Sequence, residues 1–131
     1  MLTRIELQKI GRARLRDAQA LYRSGRYDGA IYLCGYAVEI GLKARICKTL
    51  RWTGYPSTKK EFENYGSFRT HDLDTLLSLS GLESKIKGML FAEWSAVAKW
   101  NPEARYKPIG SASQQEAELT IESVKTLMGA L

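Results

Sequence analysis

The sequence predicts an all-α fold, an antiparallel up-and-down bundle of four longer helices and one short helix. Apolar residues recur with helical spacing in several long segments, and no segment alternates apolar and polar residues as a β-strand does. Glycine, proline and serine interrupt these segments and mark the connections between helices. Because 131 residues can bury a core without disulfides, we expect residues 1–131 to form one domain.

The first predicted helix runs from Thr3 to Arg23 and is amphipathic. Its apolar stripe includes Leu7, and basic residues lie across from it. Arg14 falls inside the apolar stripe, where an unpaired charge would be costly to bury. We therefore expect Arg14 to pair with a carboxylate at a helix interface, with Glu39 as the candidate partner.

The second predicted helix, from Tyr27 to Leu50, is apolar on almost every side, which is typical of a helix at the centre of a domain. Gly25 ends the first helix and Asp28 is able to cap the second, so the two helices form an antiparallel hairpin. They are expected to be the central pair of the bundle.

The two sides of the second helix differ in a way that points to function. One side is small and permits close packing by another helix, whereas the other carries Glu39 and Lys43 one turn apart. This polar stripe is expected to face a partner helix, a cleft or a second subunit. The alternative is a structural ion pair, worth a few tenths of a kcal/mol if exposed. The small side comprises Ala30, Cys34, Ala37, Gly41 and Ala44, and the polar side comprises Tyr32, Tyr36, Glu39, Lys43 and Ile46.

The rest of the chain is predicted to contain a long connection and three more helices. Residues 52–68 lack a period and form the connection, with one turn of helix near residues 60–64. A short helix follows, with Thr70 as its N-cap, and a fourth helix covers residues 82–98. The last helix begins at Ser113, which fits a capping box with Glu116.

Composition and charge exclude several classes of protein. No apolar run is long enough to span a bilayer, and the N-terminus lacks the apolar block of a signal peptide, so we expect a cytoplasmic protein. Cys34 and Cys47 lie on one helix, too far apart to bridge. The chain has neither the CxxC spacing of a zinc site nor an HExxH motif, so no metal or cofactor is expected.

The positive charge is concentrated in the first half of the chain. Residues 1–60 hold 13 Lys and Arg against 4 Asp and Glu, whereas residues 61–131 hold 7 against 10. Such a distribution can attract RNA phosphates. It can equally let the two halves of the fold, or of two subunits, attract each other.

Three segments of the chain carry a resemblance to a known family. They are LYRSGRYDGAIYLCGYAVEIGLKA, THDLDTLL and WNPEARY, and together they resemble the HEPN domain family of prokaryotic and eukaryotic nucleotide-binding domains. The resemblance covers residues 5–128. It implies a homodimer, a nucleotide or RNA as ligand, and a nucleotidyltransferase encoded as a separate partner chain, as in toxin-antitoxin pairs. The family includes ribonuclease toxins, nucleotidyltransferase partners and members with no known activity.

The catalytic motif of the ribonuclease branch is absent. There, catalysis is attributed to an arginine followed after four to six residues by a histidine, which moves a proton while the arginine stabilises phosphate charge. His71 is the only histidine, and residues 64–66 contain no arginine. We therefore expect a noncatalytic module in which His71 is hydrogen-bonded to the backbone. The alternative is a metal-independent ribonuclease toxin that uses His71 with Arg69 or Arg105 from either subunit.

Five residues form the predicted nucleotide- or partner-binding site: Glu39, Lys43, His71, Arg105 and Tyr106. Arg105 and Tyr106 are expected either to anchor their loop on Glu39 or to face a ligand phosphate. A third hypothesis is a purely structural dimerisation module, in which the polar stripe is a buried ion-pair network. Loop aromatics among basic residues either stack bases or cover the bundle ends and a dimer interface; they are Trp52, Tyr55, Tyr65, Trp94, Trp100 and Tyr106.

Overall fold

The computed structural model describes all residues from Met1 to Leu131, and 69% of them are helical. The prediction of an all-α bundle is confirmed. The helices are α1 Arg4–Arg23, α2 Tyr27–Leu50, α3 Leu73–Ser80, α4 Glu83–Met89, α5 Phe91–Val97 and α6 Gln114–Ala130; short 3-10 helices cover Gly66–Phe68 and Pro102–Tyr106, and two-residue strands cover Leu2–Thr3 (β1) and Gly54–Tyr55 (β2).

α1 and α2 form the predicted hairpin and pack along each other at the centre of the bundle. A capping box starts α1, since the Thr3 hydroxyl accepts from the Glu6 amide at 3.2 Å and the Glu6 carboxylate accepts from the Thr3 amide at 2.7 Å. Gly25 has a φ of +74°, a conformation that favours glycine, and it turns the chain between the helices.

The small side of α2 permits the close packing that the sequence predicted. A Cβ added to Gly11 would lie 3.5 Å from the Ala37 carbonyl oxygen, so α1 approaches the backbone of α2. A Cβ added to Gly41 would lie 2.9 Å from the Met128 sulfur, so α6 approaches the same side. α3 also packs against α2, and the residue His71 just before it reaches the polar side of α2.

The predicted fourth helix is wrong in one respect, because it is two short helices. α4 and α5 meet at Leu90, whose φ of −129° and ψ of 39° lie outside the helical region. Gly88 weakens the last turn of α4, because glycine is a poor helix former. The break lets Ile86 and Trp94 both reach the core, where they are 1% and 3% exposed. The bundle thus has three long and three short helices.

The caps of the later helices differ from the predictions. Asp72, rather than Thr70, caps α3, because its Oδ1 accepts from the Asp74 amide at 3.1 Å. The Thr70 hydroxyl accepts instead from the Asp72 amide at 3.0 Å. Ser113 caps α6 as predicted and accepts from the Glu116 amide at 3.1 Å. No reciprocal bond from Glu116 completes that capping box.

A small antiparallel sheet, which the sequence did not predict, attaches the N-terminus to the long connection. Leu2 pairs with Tyr55 and Thr3 pairs with Gly54. Strands of two residues are too short to show a period of two, so no pattern could reveal them. The predicted turn of helix near residues 60–64 is a run of hydrogen-bonded turns, in which the Phe62 amide donates to the Thr58 carbonyl.

The prediction that Asp28 caps α2 is wrong, because Asp28 lies inside the helix, which begins at Tyr27. Its carboxylate instead accepts from the Gly110 amide at 2.6 Å and from the Ala112 amide at 2.8 Å. These two bonds hold the connection between α5 and α6 against the start of α2. They also lower the pKa of Asp28, because they favour the charged form.

We expect acidification to release the connection held by Asp28. The folded pKa lies below the ordinary value of 3.8, so the bonds contribute stability above pH 3.8 that is lost as the pH falls through the lowered pKa. Amide NMR signals of Gly110 and Ala112 should shift in that acidic range. The Asp28→Asn variant should lack this titration, and an identical titration in both proteins would contradict the prediction.

Candidate functional site

Glu39 is the centre of a polar cluster on α2. Its side chain is only 5% exposed, and both of its oxygens are paired. Oε2 accepts from the Lys43 ammonium at 3.1 Å, and Oε1 lies 2.6 Å from His71 Nδ1. The structure thus brings together three of the predicted site residues. The two hydrogen-bond donors offset the cost of removing the buried carboxylate from water.

The position of His71 follows from the start of α3. Leu73, the first residue of the helix, is fully buried, and Asp72 caps the helix immediately before it. On the other side of His71, the Thr70 hydroxyl accepts a hydrogen bond from the Asp72 amide, which holds Thr70 in place. His71 lies between these two anchored positions, so its backbone is held in place while its ring reaches Glu39.

The His71 ring is bound on one side and open on the other. The prediction of a bond to the backbone is wrong, because the partner of Nδ1 is the Glu39 carboxylate. A carboxylate only accepts hydrogen bonds, so Nδ1 carries the proton and Nε2 is the second, unoccupied nitrogen. The side chain is 58% exposed, and Nε2 can reach a ligand. A buried carboxylate that orients a histidine in this way is a recurring arrangement in acid–base sites.

An aromatic cluster forms one wall beside Lys43. The Lys43 ammonium lies 5.4 Å from the centre of the Tyr55 ring. Tyr55 is 2% exposed, and its hydroxyl donates to the Phe68 carbonyl at 2.5 Å. Burial raises the pKa of Tyr55 and keeps the phenol neutral. The other rings of this cluster are Trp52, Phe62, Tyr65 and Phe68.

Arg69, one of the alternative catalytic arginines, lies on the outside of the aromatic cluster. Its guanidinium carbon is 5.8 Å from the centre of the Phe62 ring, and the residue is exposed. Tyr65 is 45% exposed. A cation and an open ring therefore lie on the loop that leads to His71, although most of the cluster covers the end of the bundle.

The other end of the polar stripe is occupied by two tyrosines and Trp100. The Tyr32 hydroxyl donates to the Tyr36 hydroxyl at 3.4 Å, and this bond, with partial burial, raises the pKa of Tyr36 to about 12. The Trp100 ring lies 4.8 Å from the Tyr36 ring. The Tyr36 phenol therefore stays protonated at neutral pH and does not act as a base there.

Arg105 and Tyr106 do not anchor on Glu39. The Arg105 guanidinium carbon lies 4.8 Å from the centre of the Tyr106 ring, and the nearby hydroxyls of Tyr106 and Tyr32 raise the pKa of Arg105. Glu39 has no free oxygen, because Lys43 and His71 occupy both. Arg105 instead lines a cavity of about 390 Å³ at the start of α2. Tyr106 is 72% exposed.

The predicted pairing of Arg14 with Glu39 is also wrong. Arg14 Nε lies 3.5 Å from Asp17 Oδ2 on the same helix, and both side chains are about half exposed. Arg14 therefore reaches the edge of the α1 interface, where Asp17 supplies a nearby negative charge although the Arg14 Nε is buried without a hydrogen-bond partner.

Trp100 is the site residue whose role the sequence analysis missed. A Cβ added to Gly35 would lie 2.1 Å from the Trp100 ring, so the indole rests directly on the α2 backbone. Gly35 sits close to Tyr32 and Tyr36 on the polar side of α2. A glycine among large residues on one side of a helix was the available signal that a bulky group packs there.

Thiol chemistry has no place in the site. Cys34 is fully buried, and this burial raises the pKa of its thiol to about 12. Burial raises the pKa of Cys47 as well. Both thiols stay protonated at neutral pH and are poor nucleophiles.

No helix of this chain is long and apolar enough to span a bilayer, and nowhere do three His, Cys, Asp or Glu side chains meet as a set of metal ligands. Comparison with protein-family models, with curated proteins and with solved structures found no match to the chain. The interpretation of the site therefore depends on its own geometry.

Proposed function

We propose that the chain is a noncatalytic HEPN-like module that binds RNA or a nucleotide at a site centred on His71. The observation that carries the proposal is the buried Glu39 carboxylate, which holds His71 and Lys43 together at the surface. In keeping with the resemblance, the proposal includes a homodimer and a separate nucleotidyltransferase partner of the toxin-antitoxin kind.

Phosphate is the ligand group that suits this cluster. Lys43 and Arg69 bring positive charge, and His71 offers an exposed ring nitrogen as a hydrogen-bond donor when protonated. Glu39 is buried and Lys43 is only 17% exposed, whereas His71 is 58% exposed, so the surface presents His71 rather than the carboxylate. The open Tyr65 ring on the adjoining loop suits a stacked base. Cation and aromatic groups in one place support a nucleic-acid or nucleotide ligand.

A metal-independent ribonuclease is the second candidate, because Glu39 orients His71 in the way that a carboxylate orients the histidine general base of an acid–base site. Nε2 of the neutral ring would take the proton of a ribose 2′-hydroxyl. The 2′-oxygen would attack phosphorus, the bond to the 5′-oxygen would break, and that oxygen would take a proton returned by the ring, leaving a cyclic phosphate and a 5′-hydroxyl. Arg69 or Arg105 would stabilise the charge. Arg105 lies at the other end of the polar stripe, which places this candidate second.

The test is RNA binding by anisotropy, using a labelled single strand of mixed sequence at low salt. His71→Ala and Arg69→Gln should each weaken binding by about tenfold, since the first removes an exposed hydrogen-bonding ring nitrogen and the second removes a charge-assisted bond to phosphate. Arg16→Gln, which removes an exposed arginine of α1, is the matched control and should change binding less than twofold. Unchanged binding in both site variants would refute the proposed site.

The same samples distinguish the two candidates when they are run on a denaturing gel. A noncatalytic module leaves the RNA intact in every sample. Cleavage by the unmodified protein that disappears in folded His71→Ala would replace the binding module with the ribonuclease. Cleavage that persists in His71→Ala would indicate a contaminating nuclease and would leave the binding data to decide.

A further inference from the structure

A second basic site lies on the side of the bundle where α1, α2 and α6 meet. A groove of about 470 Å³ opens there, which is within the size range of small-ligand sites. Arg4 and Arg12 from α1 and Arg45 from α2 line it, with Gln8 between the first two. No acidic side chain contributes to its lining. Leu131 also lines the groove, and its carboxylate makes no salt bridge with the three arginines.

The three arginines have no partners within the chain. None of them takes part in a salt bridge. Nε of Arg45 is buried and has no hydrogen-bond acceptor. Both carboxylates of α1 are engaged elsewhere, since Glu6 caps the helix and Asp17 faces Arg14. A buried guanidinium nitrogen without an acceptor is costly, so an anion that reached Arg45 would be stabilised there.

The arrangement of the arginines indicates an elongated anion. Arg4 and Arg12 are eight residues apart on one helix, a rise of about 12 Å. Their charges are therefore distributed along the groove. Gly41 and Ala44 also line the groove beside Arg45, and the Met128 side chain of α6 packs over Gly41 and closes that part of the groove. Guanidinium groups match phosphate oxygens with paired hydrogen bonds.

We propose that this groove, defined by Arg4, Arg12 and Arg45, binds a polyphosphate chain, either free or carried by a nucleoside. Three guanidinium groups balance the several negative charges of such a ligand. Arg45 is six residues after Glu39, which turns it about 120° around α2 from the His71 cluster. The groove is thus a separate site and does not depend on the function proposed for His71.

The experiment is isothermal titration calorimetry with tripolyphosphate and, in a second arm, with ATP, both without divalent metal. Arg12→Gln and Arg45→Gln should each weaken binding by about tenfold. Arg16→Gln, on the same helix but outside the groove, and His71→Ala should each change it less than twofold. Circular dichroism checks folding, and the exposed Arg12 keeps the test decisive if Arg45→Gln fails to fold.

Each outcome bears on the groove alone. Equal binding of both probes assigns the site to the phosphate chain, and tighter binding of ATP adds a contribution from the nucleoside. The proposal is overturned if the folded protein binds neither probe, or if Arg16→Gln weakens binding as much as Arg12→Gln does. It is also overturned if only His71→Ala weakens binding, since the phosphate would then lie at the other site.

Discussion

Replacing Glu39 with alanine is expected to lower the free energy of unfolding by about 2 kcal/mol. Removing one partner of a fully buried ion pair costs about 3–5 kcal/mol, because the other charge is left unpaired. Here Lys43 is 17% exposed and His71 is 58% exposed, so water recovers part of that loss. Urea denaturation at neutral pH measures the change.

A matched control for Glu39 is Glu122 on α6. Glu122 accepts from Lys125 at 3.2 Å, but its side chain is 64% exposed. Alanine there should change the free energy of unfolding by less than about 0.5 kcal/mol. Equal losses in Glu39→Ala and Glu122→Ala would show that the buried carboxylate contributes no more than a surface pair.

A conservative change at Glu39 distinguishes a binding site from a structural network. Glu39→Gln keeps the shape and one acceptor oxygen, but it removes the charge that orients Lys43 and His71. A purely structural dimerisation module predicts that any effect appears in unfolding or in self-association. The proposed site predicts that folded Glu39→Gln binds RNA more weakly than the unmodified protein.

The first two helices could be predicted closely because their signals are local. The bounds predicted for α2, Tyr27 to Leu50, coincide with the structure. Gly25 turns the chain at one end, and Arg51 leaves the helix with a φ of 56° at the other. The break at Leu90 could not be predicted, since the apolar stripe of residues 82–98 continues through it. Burial of the two halves against the core outweighed that local pattern.

The candidate site was only half predictable, for a similar reason. Glu39 and Lys43 are four residues apart on one helix, so their contact follows from helix geometry. The second partner of Glu39 had to be a distant residue, and His71, Arg105 and Arg14 were all chemically suitable. Which of them reaches the carboxylate depends on where α3 begins and where the loops lie, and sequence spacing contains no such information.

Gly35→Ala is expected to lower the free energy of unfolding by about 2 kcal/mol, as overpacking of a well-packed contact does. The new Cβ would lie 2.1 Å from the Trp100 ring, so the indole would have to move away. The same substitution usually stabilises a helix interior by about 0.5–1 kcal/mol. Urea denaturation with tryptophan fluorescence measures both the stability and the displacement of Trp100.

Gly88→Ala gives the comparison, since Gly88 lies in α4 and nothing would contact its new Cβ. The free energy of unfolding of Gly88→Ala should rise by up to about 1 kcal/mol. If Gly35→Ala and Gly88→Ala instead lose stability equally, the clash with Trp100 is not the cause. Trp100 lies two residues before the 3-10 helix Pro102–Tyr106 that carries Arg105. A displaced indole therefore moves Arg105 relative to Tyr32 while the Glu39 cluster stays in place. If RNA binding survives in folded Gly35→Ala, binding does not depend on the position of Arg105, as a site centred on His71 predicts.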